Sequence, residues 1–135
     1  MRITLTPYVA FPGNAAEAMH FYQGIFGGQL NILTFGQMKV PDMPAEGTMH
    51  SQLESEHFFF SAADARPGDE SQWGLSRVSL AIMSDDLDAV SGWFAALAEG
   101  GSIGQPLDRQ IWGDVYGQVT DKYGVEWMFN IAIPD

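Results

Sequence analysis

Cysteine is absent from this 135-residue chain. The absence excludes disulfide bonds, a catalytic thiolate and zinc sites built on cysteine. It fits a reducing compartment, and the first residues, 1–4, lack the apolar core of a signal peptide, so we expect a cytoplasmic protein. Long apolar runs are also lacking: none approaches the roughly 20 residues of a membrane span, so we expect no membrane partner.

Basic residues are few. Six Lys and Arg stand against 17 Asp and Glu, which gives a formal net charge of −11. Such a surface repels nucleic-acid phosphates, so we expect no nucleic-acid partner, and the acidity itself is most simply explained by solubility. The sequence has neither a Gly-x-Ser-x-Gly nucleophile elbow nor a glycine-rich loop between a strand and a helix. A Ser-His-Asp hydrolase and a nucleotide-like cofactor bound on such a loop are therefore not expected.

The two halves of the chain repeat one pattern. In each, a strand-like run leads into a helical segment that ends at two glycines, and several strand-like runs follow. A shift of 73 positions places Phe21 on Phe94 and Gly27-Gly28 on Gly100-Gly101. The repeat predicts a single α+β domain of two β-α-β-β-β modules, which form one curved mixed sheet with both helices on its outer face. The predicted boundaries are 1–62 for the first module, 63–76 for a polar linker and 77–135 for the second module.

Local signals place the elements within each module. Asn14, with Glu17 three residues later, predicts the start of the first helix, and Asp85 or Asp86 the start of the second. The helices are expected to end at Gly27-Gly28 and near Glu99. The predicted strands are Ile3–Phe11, Gln29–Met38, Thr48–Glu54, His57–Ala62, Arg77–Met83, Ser102–Gln110, Gly113–Thr120 and Val125–Ile131.

Side-chain alternation predicts which residues line the concave face. Each strand must bury its apolar side against the helices, so the alternate, more polar side chains face the concavity. A concave surface with a few polar groups among apolar ones is typical of small-molecule sites. The predicted ligand-binding residues are Thr6, Tyr8, His50, Gln52, Ser79, Trp112, Tyr116, Glu126 and Met128. Two interpretations stay open for the aromatic residues Tyr8, Trp73, Trp112 and Tyr116. They could form a wall around an organic ligand, or they could pack in the core or in a dimer interface.

Several motifs resemble those of one family. They are Thr6-Pro7-Tyr8, Gly13-Asn14-Ala15, Phe26-Gly27-Gly28, Met49-His50-Ser51-Gln52-Leu53, Trp112-Gly113-Asp114 and Asp121-Lys122-Tyr123-Gly124-Val125-Glu126-Trp127. Together they resemble the PhnB-like branch of the glyoxalase/bleomycin-resistance (vicinal oxygen chelate) superfamily, over nearly the whole chain and in the right order. The resemblance implies paired β-α-β-β-β modules and a homodimer. Proteins of this branch are often labelled 3-demethylubiquinone-9 3-methyltransferase-like.

The resemblance also bears on metal binding. Metal-dependent members of the superfamily place His or Glu at four inward positions, which here fall near Thr6, Phe60, Ser79 and Met128. Divalent first-row ions need imidazole nitrogen or carboxylate oxygen ligands, which these residues do not supply. We therefore expect no catalytic metal and no other cofactor. A remaining alternative is that His50 and Glu126 share an ion with water.

His50 and Glu126 are also the candidate catalytic residues. A neutral imidazole suits a general base or a hydrogen bond to a ligand near neutral pH, and a buried carboxylate can act as a base. The competing interpretations are a histidine satisfied within the sheet and an exposed carboxylate at a strand end. Three functions follow: a protein that binds a small organic molecule without metal, a metal-dependent lyase, isomerase or dioxygenase of glyoxalase type, and a metal-free catalyst with His50 as base.

Overall fold

Both halves of the chain fold with the same order of elements. A computed structural model describes residues 4–68 and 78–133, and the chain divides into two units, Met1–Trp73 and Gly74–Asp135. The elements of the first unit are β1 (Tyr8–Phe11), α1 (Ala15–Phe26), β2 (Gln29–Thr34), β3 (Thr48–Glu54) and β4 (Phe59–Asp64). Those of the second are β5 (Leu80–Ser84), α2 (Leu87–Ala98), β6 (Ser102–Arg109), β7 (Val115–Thr120) and β8 (Glu126–Ile131). The two predicted β-α-β-β-β modules are thereby confirmed.

Each module has its own four-stranded sheet. The strand orders are β1-β4-β3-β2 and β5-β8-β7-β6. In both sheets the first strand of the module runs parallel to the last, and the other pairs are antiparallel. The strands thus pair into two sheets, one per module, where the repeat suggested one continuous sheet. Neither of the described helices is long and apolar enough to cross a membrane.

One helix covers one face of each sheet. In the first module, the Tyr22 ring of α1 contacts the Phe60 ring of β4 with centroids 5.1 Å apart, and both residues are buried. In the second, Phe94 of α2 meets Phe129 of β8 edge-on at 5.5 Å. The other face of each sheet carries no helix among the described residues of its own module and is called the uncovered face below; most of its side chains are half-buried or exposed, although Ser61 is 3% exposed.

The repeated glycine pairs allow close approach between backbones. A Cβ atom on Gly28 would lie 2.1 Å from the carbonyl oxygen of Glu54, and one on Gly101 would lie 2.2 Å from that of Thr120. Both glycines stand directly before the second strand of their module, where the chain passes the end of the third. Only a residue without Cβ fits there.

The two helices begin differently. As predicted for one of its two candidates, α2 is capped by Asp86, whose Oδ1 accepts a hydrogen bond from the Ala89 amide at 3.1 Å. The start of α1 is also where it was predicted, since Asn14 is its N-cap residue, but the Asn14 side chain makes no capping hydrogen bond. Asp64, at the end of β4, instead accepts from the Ala15 amide at 2.8 Å. A residue distant in sequence thus satisfies the first amide of the helix, whereas the hydrogen bond that an N-cap side chain makes to the second or third amide does not form.

The first strand of each module is shorter than predicted. β1 begins only at Tyr8, after Pro7, and Leu5 is 98% exposed. β5 begins at Leu80, and Val78 is 75% exposed. Proline has no amide hydrogen for a sheet ladder, which explains the late start of β1. The positions Ile3, Trp73 and Arg77 and part of the predicted linker lie outside the described residues.

Candidate functional site

The uncovered face of the first sheet carries a row of polar side chains. Strand register places Tyr8 beside Ser61, and Ser61 beside Gln52. Side chains that are adjacent across strands share a face, so these three point away from α1. His50 lies on the same face, two residues before Gln52 on β3. Three of the predicted ligand-binding residues (Tyr8, His50 and Gln52) are therefore brought together in this module.

Tyr8 and His50 form a hydrogen-bonded aromatic pair. The Tyr8 hydroxyl lies 2.9 Å from His50 Nδ1, and the ring centroids are 5.6 Å apart. Tyr8 is 57% exposed and His50 is half-buried, so the pair borders solvent. If the hydroxyl donates to Nδ1, the neutral imidazole carries its proton on Nε2 and offers a donor there. If Nδ1–H donates to the hydroxyl, Nε2 is an acceptor and a possible base.

The uncovered face of the second sheet carries a polar and aromatic network centred on Asn130. The Asn130 amide nitrogen donates to Asp114 Oδ2 at 2.8 Å, and the Trp112 indole nitrogen donates to Asn130 Oδ1 at 3.4 Å. The Trp112 and Tyr116 rings meet edge-on with centroids 6.0 Å apart. Trp112 is 57% exposed, so a flat apolar surface borders solvent beside the amide. These contacts indicate that Trp112 and Tyr116 lie at the surface and do not pack in the hydrophobic core.

Two more residues extend this network along the sheet. Gln118 donates from its side-chain nitrogen to the Tyr116 hydroxyl at 2.8 Å. Met128 pairs with Gln118 across β7 and β8 and shares its face, where it is half-buried. Met128 thus points away from α2, as the alternation predicted. With Asn130 and Trp112, the surface thus combines a thioether, two side-chain amides and two aromatic rings.

The remaining predicted residues stand at the margins of these faces. Thr6 and Ser79 precede β1 and β5 and lie outside the strands, the first half-buried and the second exposed. Glu126 begins β8, where it is half-buried and pairs with Thr120. His50 belongs to the first module and Glu126 to the second.

Three participants are not among the predicted ligand-binding residues: Asn130, which alternation on β8 does place on the concave face, and Asp114 and Gln118. Asn130 follows Met128 by two residues on β8, and Gln118 follows Tyr116 by two on β7, so strand alternation was a sufficient signal for both. Asp114 lies in the β6–β7 turn, whose residues Gln110 and Asp114 are joined by a backbone hydrogen bond of 2.9 Å. No periodic pattern indicates where a turn residue points, so its contact with Asn130 needed the structure.

Comparisons with known proteins agree with this architecture. The family model of the Glyoxalase/Bleomycin resistance protein/Dioxygenase superfamily matches residues 4–129. The chain belongs to this superfamily. Protein YjdN of Escherichia coli (strain K12) is 28% identical over 141 residues, which cover 95% of either chain. The resemblance to this superfamily is thereby confirmed.

Two solved structures of this superfamily's fold are similar over nearly their full length. Protein PA1353 from Pseudomonas aeruginosa is 31% identical with a TM-score of 0.82, and the match covers 98% of this chain and 100% of that one. A Bacillus cereus PhnB protein, described as a putative 3-demethylubiquinone-9 3-methyltransferase, is 22% identical with a TM-score of 0.74. That match covers 96% of this chain and 100% of the other. At this identity the second comparison bears on the fold alone.

The residues at the superfamily's metal positions do not fit a metal. Thr6, Ser79 and Met128 supply neither imidazole nor carboxylate. The placement of Phe60 at such a position is wrong by one residue, because Phe60 is 1% exposed and packs on Tyr22 under α1. Its neighbours Phe59 and Ser61 face the other way and bring no better ligand. Within residues 4–68 and 78–133, no group of three or more His, Cys, Asp or Glu side chains is placed to hold a metal ion.

Proposed function

We propose that this protein binds a small organic molecule on the uncovered faces of its sheets and needs no catalytic metal to do so. The observation that carries the proposal is the Tyr8–His50 pair, 2.9 Å from hydroxyl to imidazole and open to solvent on one side. A hydrogen-bonding ring pair on a rigid sheet combines an apolar surface with a directed polar group. Small-molecule sites have this composition.

The second module supports the same function with different side chains. Asn130 is oriented by Asp114, so its amide is fixed beside the exposed Trp112 ring. Such a group suits an aromatic or conjugated ligand that stacks on the indole and exchanges hydrogen bonds with an amide. The geometry therefore supports recognition of a planar, partly polar compound.

The alternative is a metal-dependent lyase, isomerase or dioxygenase of glyoxalase type that uses His50 and Glu126. The chemistry of Thr6, Ser79 and Met128 speaks against it, as these side chains are poor ligands for a divalent ion. Elemental analysis of the purified protein separates the two functions. Less than about 0.1 divalent ion per chain supports metal-free binding, whereas one ion per chain that is lost in His50→Ala would contradict it.

Ligand binding is tested with benzamide, which carries both an aromatic ring and an amide, and with cyclohexanecarboxamide, which lacks the aromatic ring. We expect benzamide to shift the backbone amide signals of Tyr8 and His50, or of Tyr116 and Asn130, in two-dimensional NMR spectra. His50→Ala or Asn130→Ala should weaken binding on its own sheet by at least about fivefold. His20→Ala, a change at an exposed position on α1, is the matched control. Equal response to both compounds, or shifts confined to the helices, would contradict the proposal.

Catalysis without metal depends on the protonation of His50. If Nε2 carries the proton, the side chain donates to a ligand and does not act as a base. Nitrogen-15 chemical shifts of the imidazole distinguish the two tautomers. A bare Nε2, together with turnover of a bound compound that is lost in His50→Ala, would favour the catalyst over the binding protein.

We also propose that the protein is a cytoplasmic homodimer. Family membership and the exposed apolar side chains at equivalent repeat positions, Leu5 and Val78, support self-association. Sedimentation equilibrium measures the mass directly, and a value near the single-chain 14.8 kDa at micromolar concentration would exclude the dimer. Cell fractionation tests the location.

A further inference from the structure

A cavity in the first module lies apart from the sheet face proposed above. Its volume is about 440 Å³, and it opens between the turn before α1, the loop between β2 and β3, and the end of β4. Its walls combine polar and apolar surface in nearly equal parts, and the polar part includes two carboxylates. The residues that matter here are Pro12, Phe35, Met43, Pro44, Glu46 and Asp64.

The loop wall is held by its own backbone hydrogen bonds. The Phe35 amide donates to the Gly47 carbonyl at 3.0 Å, and the Gly36 amide donates to the Ala45 carbonyl at 2.9 Å. Phe35 itself is buried, with 7% of its surface exposed. Because these hydrogen bonds hold the loop in place, the cavity exists before a ligand binds, and less conformational entropy is lost on binding.

Asp64 forms the polar end of this cavity. Its two carboxylate oxygens accept from the amides of Ala15, at 2.8 Å, and Thr48, at 2.9 Å. Each oxygen can accept a further hydrogen bond, so the carboxylate remains able to bind a donor. Glu46 adds a second negative group at the rim, and none of the described lining residues carries a basic side chain.

Two buried polar atoms next to Asp64 have no hydrogen-bond partner. They are Asn14 Oδ1 and Thr48 Oγ1. Asn14 stands between Gly13, which lines the cavity, and Ala15, which donates to Asp64. Thr48, 1% exposed, stands next to the lining residue Gly47 and donates its own amide to Asp64. Unsatisfied buried polar atoms are rare and costly, and these two lie one residue behind the cavity wall, next to Gly13 and Gly47.

We propose that this cavity binds a small organic cation, a primary ammonium group on an apolar body, with Asp64 and Glu46 holding the ammonium group. An ammonium offers three donors and no acceptor, which matches a wall of acceptors without a base. The apolar walls accept the body of the ligand, and an anion of the same shape would meet two like charges. The inference does not depend on the proposed sheet-face function, since the two sites share no residue.

The test uses three compounds of similar shape and different charge: 2-phenylethylamine, 2-phenylethanol and 3-phenylpropanoate. We expect the amine alone to bind at neutral pH and to shift the backbone amides of Gly13, Ala15 and Thr48. Binding of the anion as tightly as the amine, or no binding of the amine up to 10 mM (roughly the weak limit for a fragment), would overturn the proposal. Shifts at Tyr8 and His50 without shifts at Ala15 would place the amine on the sheet face and also overturn it.

Three variants sharpen the result. Glu46→Gln, at an exposed position, should weaken amine binding about two- to fivefold, as expected for a rim charge. Glu56→Gln, in the exposed β3–β4 turn, is the matched control and should change nothing. Asp64→Asn should weaken binding at least about tenfold where the variant folds. If Asp64→Asn does not fold, Glu46→Gln and the shift pattern still decide, and full affinity in Glu46→Gln would contradict the assignment.

Discussion

Adding one methyl group to Gly101 tests whether the repeated glycines are required by backbone contact. In Gly101→Ala the new Cβ would lie 2.2 Å from the Thr120 carbonyl oxygen, and the nearby Asp121 Cα would be 2.9 Å away. Both atoms belong to the backbone, so a change of side-chain rotamer cannot relieve the collision. The β6–β7 pair must separate at its end, where Ser102 pairs with Thr120. Overpacking of this kind costs about 3 kcal/mol or more.

Gly27 supplies the matched control. It has φ 73°, and a Cβ atom there would meet nothing within 4 Å. Its ψ of −173° places it in a region that is essentially restricted to glycine, so Gly27→Ala introduces backbone strain without a collision, at a cost of about 1–3 kcal/mol. Gly28→Ala combines both effects, because Gly28 has φ 98° and a Cβ atom there would lie 2.1 Å from the Glu54 carbonyl oxygen. We expect the loss of stability to rise from Gly27→Ala to Gly101→Ala and then to Gly28→Ala.

Urea unfolding followed by circular dichroism at 222 nm measures these differences. A thermal scan should show a decrease in Tm of about 3–10 °C for Gly27→Ala and a larger decrease for Gly101→Ala. Failure of the Gly28 and Gly101 variants to accumulate as folded protein would agree with the argument, provided that Gly27→Ala folds. A Gly101→Ala variant that is as stable as Gly27→Ala would refute it.

Three further predictions concern single side chains. Asp86→Ala should lower the free energy of unfolding by about 1 kcal/mol in urea, because it removes the side-chain cap of α2. Asn14→Ala should leave the free energy of unfolding within about 0.5 kcal/mol of the parent value, or raise it, because the Asn14 side-chain oxygen is buried without a partner. A loss of about 1 kcal/mol would mean that this side chain does cap α1. Asp121→Ala should lower the free energy of unfolding by about 3 kcal/mol, because Asp121 is 3% exposed and accepts hydrogen bonds from the Trp127 indole nitrogen at 2.9 Å and from two backbone amides. A decrease in Tm of less than about 3 °C would contradict this.

Much of the fold could be predicted because the signals are periodic and occur twice. The helical stripe of α1 and the alternation in β8 both identify their buried sides without reference to the rest of the chain. The paired glycines then give the same boundary in both modules. The residues that face away from the helices on β3 and β8 follow from the same alternation, and His50, Gln52 and Met128 were found in this way.

What the sequence could not supply depends on contacts between distant positions. Asn14 stands at the N-cap position as predicted, but its side chain makes no capping hydrogen bond, and Asp64, 49 residues from Ala15, binds the first amide of the helix. The metal position carried over from the superfamily falls on Phe60, one residue out of register, and the β4 sequence could not correct it, because Phe59 and Phe60 are identical and the strand does not alternate. The cavity beside Asp64 is bounded by a loop without periodicity, so its existence could be recognised only once the loop was folded.

The separation of the two sides of each sheet has an evolutionary consequence. On β8 the odd-numbered residues Trp127, Phe129 and Ile131 are committed to the core, whereas the even-numbered ones are not. Mutation can therefore alter what a descendant of this chain recognises while leaving its hydrophobic interior untouched. The two copies already illustrate such divergence, one presenting a phenol and an imidazole and the other an indole and an amide.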